Sequence, residues 1–265
     1  MDLASPLLWV YAALTALIPG LLATWLGVGG CFLRIPMLIY LFNIPIKVAY
    51  SVNQATVALA TIPGVIEHFR SRHVYVKGFV VASLSAMAGV SLGAYVVARY
   101  VPSNALRVIF GLACVAIGVY VLRKTIASRK ALRRRVTVAE VRGLEHGYKL
   151  VALMFAAGFA TGICGFGGGI YFVPAFIGLN YPTHVAVGTS SAQMLPVAGL
   201  GSAVLTANGY QNVAILVLVG VPTLIASWLG ARLSARSPPW FLRLLYALAI
   251  MGAGSYVAID SWLHM

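Results

Sequence analysis

Apolar residues run along this chain in long unbroken stretches, with neither the strict alternation of a half-buried strand nor the polar stripe of a surface helix. Five such stretches occupy each half: residues 7–26, 31–42, 48–66, 78–98 and 105–122, then 150–164, 170–179, 185–207, 213–229 and 240–259. Most approach the length of about 20 residues that a helix needs to cross a hydrocarbon core of about 30 Å. Between positions 150 and 231 there is no Asp, Glu, Lys or Arg. Lipid offers no partner to backbone N–H and C=O groups, so segments of this kind are predicted to be helices. The expected fold class is an all-α polytopic membrane protein. The second stretch of each half is short, since 31–42 would rise only about 18 Å as a helix. Each is therefore read as part of a broken or re-entrant hairpin, giving about four to five transmembrane or re-entrant helical segments per half. The stretch at 7–26 has no Lys or Arg before it and exceeds a signal-peptide core, so it is expected to stay in the membrane.

Composition agrees with this reading. Hydrophobic residues make up 61% of the 265 residues and charged residues 9%, with a mean hydropathy of +0.92, far from a soluble surface. The formal charge of +14 raises nucleic acid as a partner, but its placement argues otherwise. Much of it lies in a linker at residues 123–149 that contains RKTIASRKALRRR, and such a run beside a span is a topogenic signal for a cytoplasmic loop. With that loop inside, Arg70, Arg72, Lys77, Arg232, Arg236 and Arg243 also fall inside. Only Lys47, Arg99 and Arg107 fall outside, fifteen cations against three. Both termini are then expected outside. Three regions follow: a first transmembrane repeat at 1–122, the basic cytoplasmic linker at 123–149, and a second transmembrane repeat at 150–265.

The word repeat rests on a match between the halves at an offset of 138 positions. GVGGCFLRIPML, starting at Gly27, lies over GFGGGIYFVPAF, starting at Gly165, which aligns Gly27, Gly29, Gly30 and Pro36 with Gly165, Gly167, Gly168 and Pro174. Ser51, Val52 and Asn53 align with Thr189, Ser190 and Ser191. As the offset drifts, Leu92-Gly93-Ala94 meets Leu229-Gly230-Ala231 and Arg99 meets Arg236. The number of segments per half leaves the second copy inverted relative to the first. Charge agrees, because Arg99 is expected outside and Arg236 inside. Inverted repeats are a common build for secondary transporters, whose site lies near the midplane between discontinuous helices.

Gly and Pro interruptions at corresponding positions mark such helices. Glycine lets the chain leave helical geometry and approach a ligand, and exposed N–H groups at a helix start attract anions. The alternative is that these glycines only permit tight helix packing. A dinucleotide-binding reading lacks both the preceding strand and the following acid. The polar cluster after each hairpin, Ser51, Asn53, Gln54 and Thr56 in one half and Thr189, Ser190, Ser191 and Gln193 in the other, either donates to an oxyanion or binds helix to helix. Arg34 is the one charge inside a short stretch, and its repeat partner is Phe172. It is either a functional intramembrane charge or a side chain snorkelling to the cytoplasmic interface. The five acids, Asp2, Glu67, Glu140, Glu145 and Asp260, all fall in loops or at span ends. No buried carboxylate is left for a proton relay or a cation, which points to an anion pathway. Cys31, Cys114 and Cys164 have no metal-ligand spacing, so free thiols are expected, with no metal and no cofactor.

Together these features resemble the sulfite exporter TauE/SafE family of membrane permeases. The resemblance covers essentially the whole chain: paired GxGG…P hairpins, the stretches KVAYSVNQ and HVAVGTSSAQ, the basic central loop, and an LGA triplet downstream of each polar stretch. It implies a permease of the cell inner membrane, not an enzyme, that exports small sulfur-containing anions such as sulfite, sulfoacetate, other organosulfonates or thiosulfate. The first half departs from the pattern, with Cys31 for a third Gly, Arg34 in the short helix, and Tyr50-Ser51-Val52 for a Gly-Thr-Ser type. The expected substrate shell comprises backbone amides of Gly27, Gly29, Gly30, Cys31, Gly165, Gly167, Gly168 and Gly169, with Asn53, Gln54, Thr189, Ser190, Ser191 and Gln193 completing it. Arg34 would raise the local anion concentration. The partners expected are that anion and the lipid bilayer, with a homodimer left open and no nucleic acid. A second reading is an integral membrane thiol protein that handles sulfur through Cys31 or Cys164.

Overall fold

The computed structural model of the chain describes residues 6–25, 30–127, 147–179, 181–234 and 239–263. Ten helices cover them: α1 (Pro6–Trp25), α2 (Cys31–Leu41), α3 (Ile46–Arg70), α4 (Val76–Arg99), α5 (Ser103–Ala127), α6 (Gly147–Cys164), α7 (Gly169–Gly178), α8 (Thr183–Ala207), α9 (Val213–Ser234) and α10 (Pro239–Leu263). There is one helix for every apolar stretch, and α2 and α7 are the short pair. By length and composition, the segments Val76–Arg99, Ser103–Arg123 and Gly147–Cys164 are long and apolar enough to cross a membrane. Helix α5 continues to Ala127 and α6 begins at Gly147, so both reach into the basic linker, whose middle lies outside the described residues.

The breaks between helices are set by residues that cannot continue a helix, and they recur in both halves. Pro45 and Pro182 precede α3 and α8 with nearly equal backbone angles, φ −57°, ψ 143° and φ −55°, ψ 140°, where proline's fixed φ suits a helix start. Gly30 (φ 63°) and Gly168 (φ 101°) precede α2 and α7 in the left-handed region, which an L side chain enters only at a cost. The turns after α3 and α8 hold Arg72 (φ 54°) and Gly209 (φ 84°).

Pairing of the helices follows one scheme. The principal contacts are α1 with α9, α4 with α6, α3 with α8, and α5 with α10. Exchanging the halves, so that α1 becomes α6 and so on, turns the first pair into the second and leaves the other two unchanged. Direction follows the same rule. In α3 and α8, Ser51 meets Ser202 and Thr206, Ala58 lies against Gly199, and Tyr75, beyond the end of α3, meets Thr189. These two helices run antiparallel. Helices α5 and α10 do too, with Gly111 against Ala258 and Gly118 against Met251. Helices α4 and α6 run parallel, since Gly158 lies on Ala86 and Gly162 on Ala94. Helices α1 and α9 do the same, with Ala16 beside Thr223 and Gly20 beside Ala226.

The α4–α6 seam is built from glycines. A Cβ on Gly89 would meet the Phe155 carbonyl, one on Gly93 the Phe159 carbonyl, and one on Gly158 the Ala86 carbonyl. Lipid is as apolar as leucine, so helices in it gain by close van der Waals contact, and a small-xxx-small spacing permits that contact. The packing reading of glycine therefore applies here, to residues outside the two hairpin motifs. The core between the helix pairs holds α2 and the tip before α7, with Phe32, Ile35, Tyr50, Phe110 and Phe166 fully buried. Exposed leucine, isoleucine and valine side chains on α4, α5 and α9 form an apolar outer surface, as lipid contact requires.

Candidate functional site

The second hairpin turns at its glycines. Helix α6 stops at Cys164, and Gly165 (φ 68°), Gly167 (φ 71°) and Gly168 (φ 101°) carry the chain through left-handed geometry into α7, which Gly169 begins. The tip is pressed against α3: a Cβ on Gly165 would strike the Tyr50 ring, one on Gly167 would strike Val57, and one on Gly168 the Phe172 ring of its own hairpin. Gly30 and Cys31 are buried at the start of α2, while Gly27 and Gly29 lie outside the described residues. The N-cap positions of α2 and α7 are Gly30 and Gly168, which have no side chain with which to cap the helix start.

Asn53 joins the two hairpins. Its Nδ2 donates to the Gly165 carbonyl at 2.7 Å, and its Oδ1 accepts from Arg34 Nη1 at 3.2 Å. Arg34 reaches it from α2, so one amide on α3 bonds a side chain of the first hairpin and the backbone tip of the second. Arg34 has no exposed surface, which replaces snorkelling with burial. Its Nε and Nη2 have no hydrogen-bond partner. A buried cation without a counter-ion is held at a cost of several kcal/mol or more, and no acid bonds Arg34 among the described residues. Its repeat partner Phe172 is fully buried under Gly168, so the charge belongs to one half only.

The remaining polar residues sort into two groups. Gln54 stays near the tip, where its Nε2 donates to the Thr161 carbonyl of α6 at 3.4 Å and its Oε1 is buried without a partner. Thr189, Ser190 and Gln193 face a different neighbour. The Thr189 hydroxyl accepts from the Tyr75 N–H at 3.1 Å, and Gln193 Nε2 donates to the Ala82 carbonyl of α4 at 3.2 Å. The Ser190 hydroxyl and Gln193 Oε1 are buried without partners. Ser191, the repeat partner of Asn53, is half-buried and bonds neither hairpin. The expected single shell is therefore two clusters, Arg34, Asn53, Gln54 and Gly165 in one and Thr189, Ser190 and Gln193 in the other.

One chain of polar contacts falls outside the expected shell. Ser51 Oγ lies 3.2 Å from Ser202 Oγ and 3.4 Å from Thr206 Oγ1, and Gln211 Nε2 donates to both of those hydroxyls. This line runs from the half-buried Gln211 to within two residues of Asn53. Its signal in the sequence is the spacing of Ser202 and Thr206, one helical turn apart, on a helix otherwise too uniform to reveal a face.

Cys31, Cys114 and Cys164 are buried and none forms a disulfide. No group of three or more His, Cys, Asp or Glu able to hold a metal occurs among the described residues.

The chain is similar to known membrane proteins along most of its length. A family model described as Sulfite exporter TauE/SafE matches residues 12–257. A probable membrane transporter protein of Methanocaldococcus jannaschii is 24% identical over 252 residues, covering 89% of this chain and 90% of its own. One of Bacillus subtilis is 26% identical over 227 residues, covering 84% and 89%, and one of Xylella fastidiosa is 26% identical over 248 residues, covering 89% and 90%. No solved structure matches.

Proposed function

The chain belongs to the sulfite exporter TauE/SafE family, and from that premise we propose that it is a permease of the cell inner membrane that exports small sulfur-containing anions, sulfite and organosulfonates among them, through the site where its two hairpins meet. The observation that carries this reading is the line from Arg34 through Asn53 to the Gly165 carbonyl. It holds an unopposed guanidinium inside the bundle and ties it to both hairpins. A sulfonate or sulfite head group is a planar-faced cluster of oxygens, the partner that a guanidinium edge takes most readily. The start of α7, preceded by Gly168, adds N–H groups of the kind that bind anions.

Two further features support the reading. Helices of equal rank, α3 with α8 and α5 with α10, run antiparallel, which favours inverted repeats with the basic linker in the cytoplasm and alternating access around a central site. Export of an anion also runs downhill in a cell with a negative interior, by about 2.3 kcal/mol per charge per 100 mV. No coupled cation is needed, in keeping with the absence of an acid bonded to Arg34 among the described residues. The experiment is flux of radiolabelled sulfite and ethanesulfonate into proteoliposomes holding the purified chain. Saturable uptake that collapses in Asn53→Ala supports the proposal. Uptake of neither anion, or uptake indifferent to that substitution, rejects it.

A further inference from the structure

We infer that the Arg34 site selects anions of single charge, a narrowing that rests on the permease reading above. Three observations lead there. Arg34 is the only charged side chain among the fully buried residues described, so among those residues a single full charge faces an anion inside the bundle. A second negative charge would remain unopposed in a medium of low dielectric, where an unpaired ion is strongly disfavoured.

The hydrogen-bond donors at the site carry no full charge apart from this guanidinium. Arg34 spends Nη1 on Asn53 and leaves Nε and Nη2 without partners. Those two nitrogens form one edge of the planar guanidinium, a two-pronged donor that matches two oxygens of a single head group. The neighbouring amides each commit one N–H, Asn53 to Gly165 and Gln54 to Thr161, and the second N–H that each keeps carries no full charge to set against a dianion. What Gln54 leaves without a partner is its carbonyl oxygen, an acceptor. An acceptor repels a second anionic oxygen and welcomes a hydroxyl. The cradle therefore fits a head group with one net charge, and one that still carries a proton fits it better.

For the family's sulfur anions this divides the field. Alkylsulfonates and the protonated form of sulfite carry one charge, whereas fully ionised sulfite, thiosulfate and sulfoacetate carry two. The test compares ethanesulfonate with ethanedisulfonate, whose charges do not change around neutral pH, as radiolabelled substrates of wild-type protein in proteoliposomes at zero membrane potential. Protein-free vesicles provide the blank. We expect ethanedisulfonate to move at least about tenfold more slowly, which corresponds to about 1.4 kcal/mol, and to compete poorly for ethanesulfonate uptake. Sulfite uptake above the blank should fall as its second proton is lost, approaching tenfold per pH unit on the alkaline side, while ethanesulfonate uptake stays level over the same range. Equal rates for the two sulfonates, or sulfite uptake that rises with pH, overturn the selection by charge and leave the permease reading standing. Uptake of no anion overturns both. Arg34→Lys, which keeps the charge and loses the two-pronged edge, should retain the preference for single charge at reduced affinity. Loss of that preference in Arg34→Lys also counts against the inference.

Discussion

Arg34 and Asn53 lie 19 residues apart in sequence and meet at 3.2 Å inside the bundle, with no exposed surface on either side chain. The contact places a permanent cation against a neutral amide, and the opposite face of that amide holds the carbonyl of Gly165. An isosteric change at Asn53 therefore alters the electrostatics of the site and leaves its shape alone.

Asn53→Asp would supply Arg34 with an internal counter-ion. The variant is expected to fold with a melting temperature near wild type, the new ion pair offsetting the lost bond to Gly165, which within a membrane is worth about 0.6 to 1.7 kcal/mol, and the approach of a carboxylate oxygen to that carbonyl. Its anion flux is expected to drop by at least about 100-fold, because a paired guanidinium no longer seeks an anion. Thermal melting in detergent and flux in proteoliposomes check the two halves of this statement. Retention of flux would mean that Arg34 does not meet the substrate.

Gly165 and Gly209 separate backbone strain from contact. Both have positive φ, 68° and 84°, but a Cβ on Gly165 would strike the Tyr50 ring while one on Gly209 has nothing within 4 Å. Gly209→Ala should lower stability by about 1–2 kcal/mol, the cost of a left-handed alanine. Gly165→Ala should lower it further and depress transport, since the hairpin tip must shift away from α3. Equal losses in the two variants, measured by thermal melting, would show that Tyr50 yields.

Arg72 and Gly209 occupy corresponding turns of the two halves, after α3 and after α8. In inverted repeats these turns lie on opposite sides of the membrane. In a background without native cysteines, Arg72→Cys is expected to react with an impermeant maleimide only from the cytoplasmic side and Gly209→Cys only from outside. Labelling of both from one side would exclude inversion.

The native thiols are expected to be spectators. Cys31, Cys114 and Cys164 are buried, so a maleimide should modify them only after unfolding, and flux in Cys31→Ala and Cys164→Ala should stay within about threefold of wild type, a change below about 1 kcal/mol. Loss of transport in both alanine variants, with melting unchanged, would revive the thiol reading.

Much of the fold is legible in the sequence because the bilayer leaves few choices. A stretch such as 213–229, with no charge and no alternation, has only the helix available to it, and α9 starts at Val213 as the hydropathy does. Prolines and glycines mark the breaks for steric reasons that hold in any surroundings, which is why Pro45, Pro182, Gly30 and Gly168 stand where α3, α8, α2 and α7 begin. What the sequence conceals is which face of each helix turns where. Amphipathicity orients a helix in water, but α8 is apolar nearly all round, so its pattern cannot say that Gln193 faces Ala82 of α4 while Ser202 faces Ser51 of α3. Asn53 aligns with Ser191, yet only Asn53 has an arginine to hold, because position 34 carries Arg and position 172 carries Phe. Arg34 was visible as an anomaly. It sits on α2, against which α1, α3 and α10 pack, and its burial is a long-range consequence of that packing.

The measurement that bears most directly on the whole account is ethanesulfonate flux in proteoliposomes of defined membrane potential, wild type against Arg34→Gln. Wild-type protein is predicted to give saturable efflux that accelerates as the interior is made negative, and the variant to lose at least about 100-fold of it while remaining folded by thermal melting. Flux in Arg34→Gln equal to wild type, at any potential, would contradict the assignment of this buried guanidinium to the transported anion.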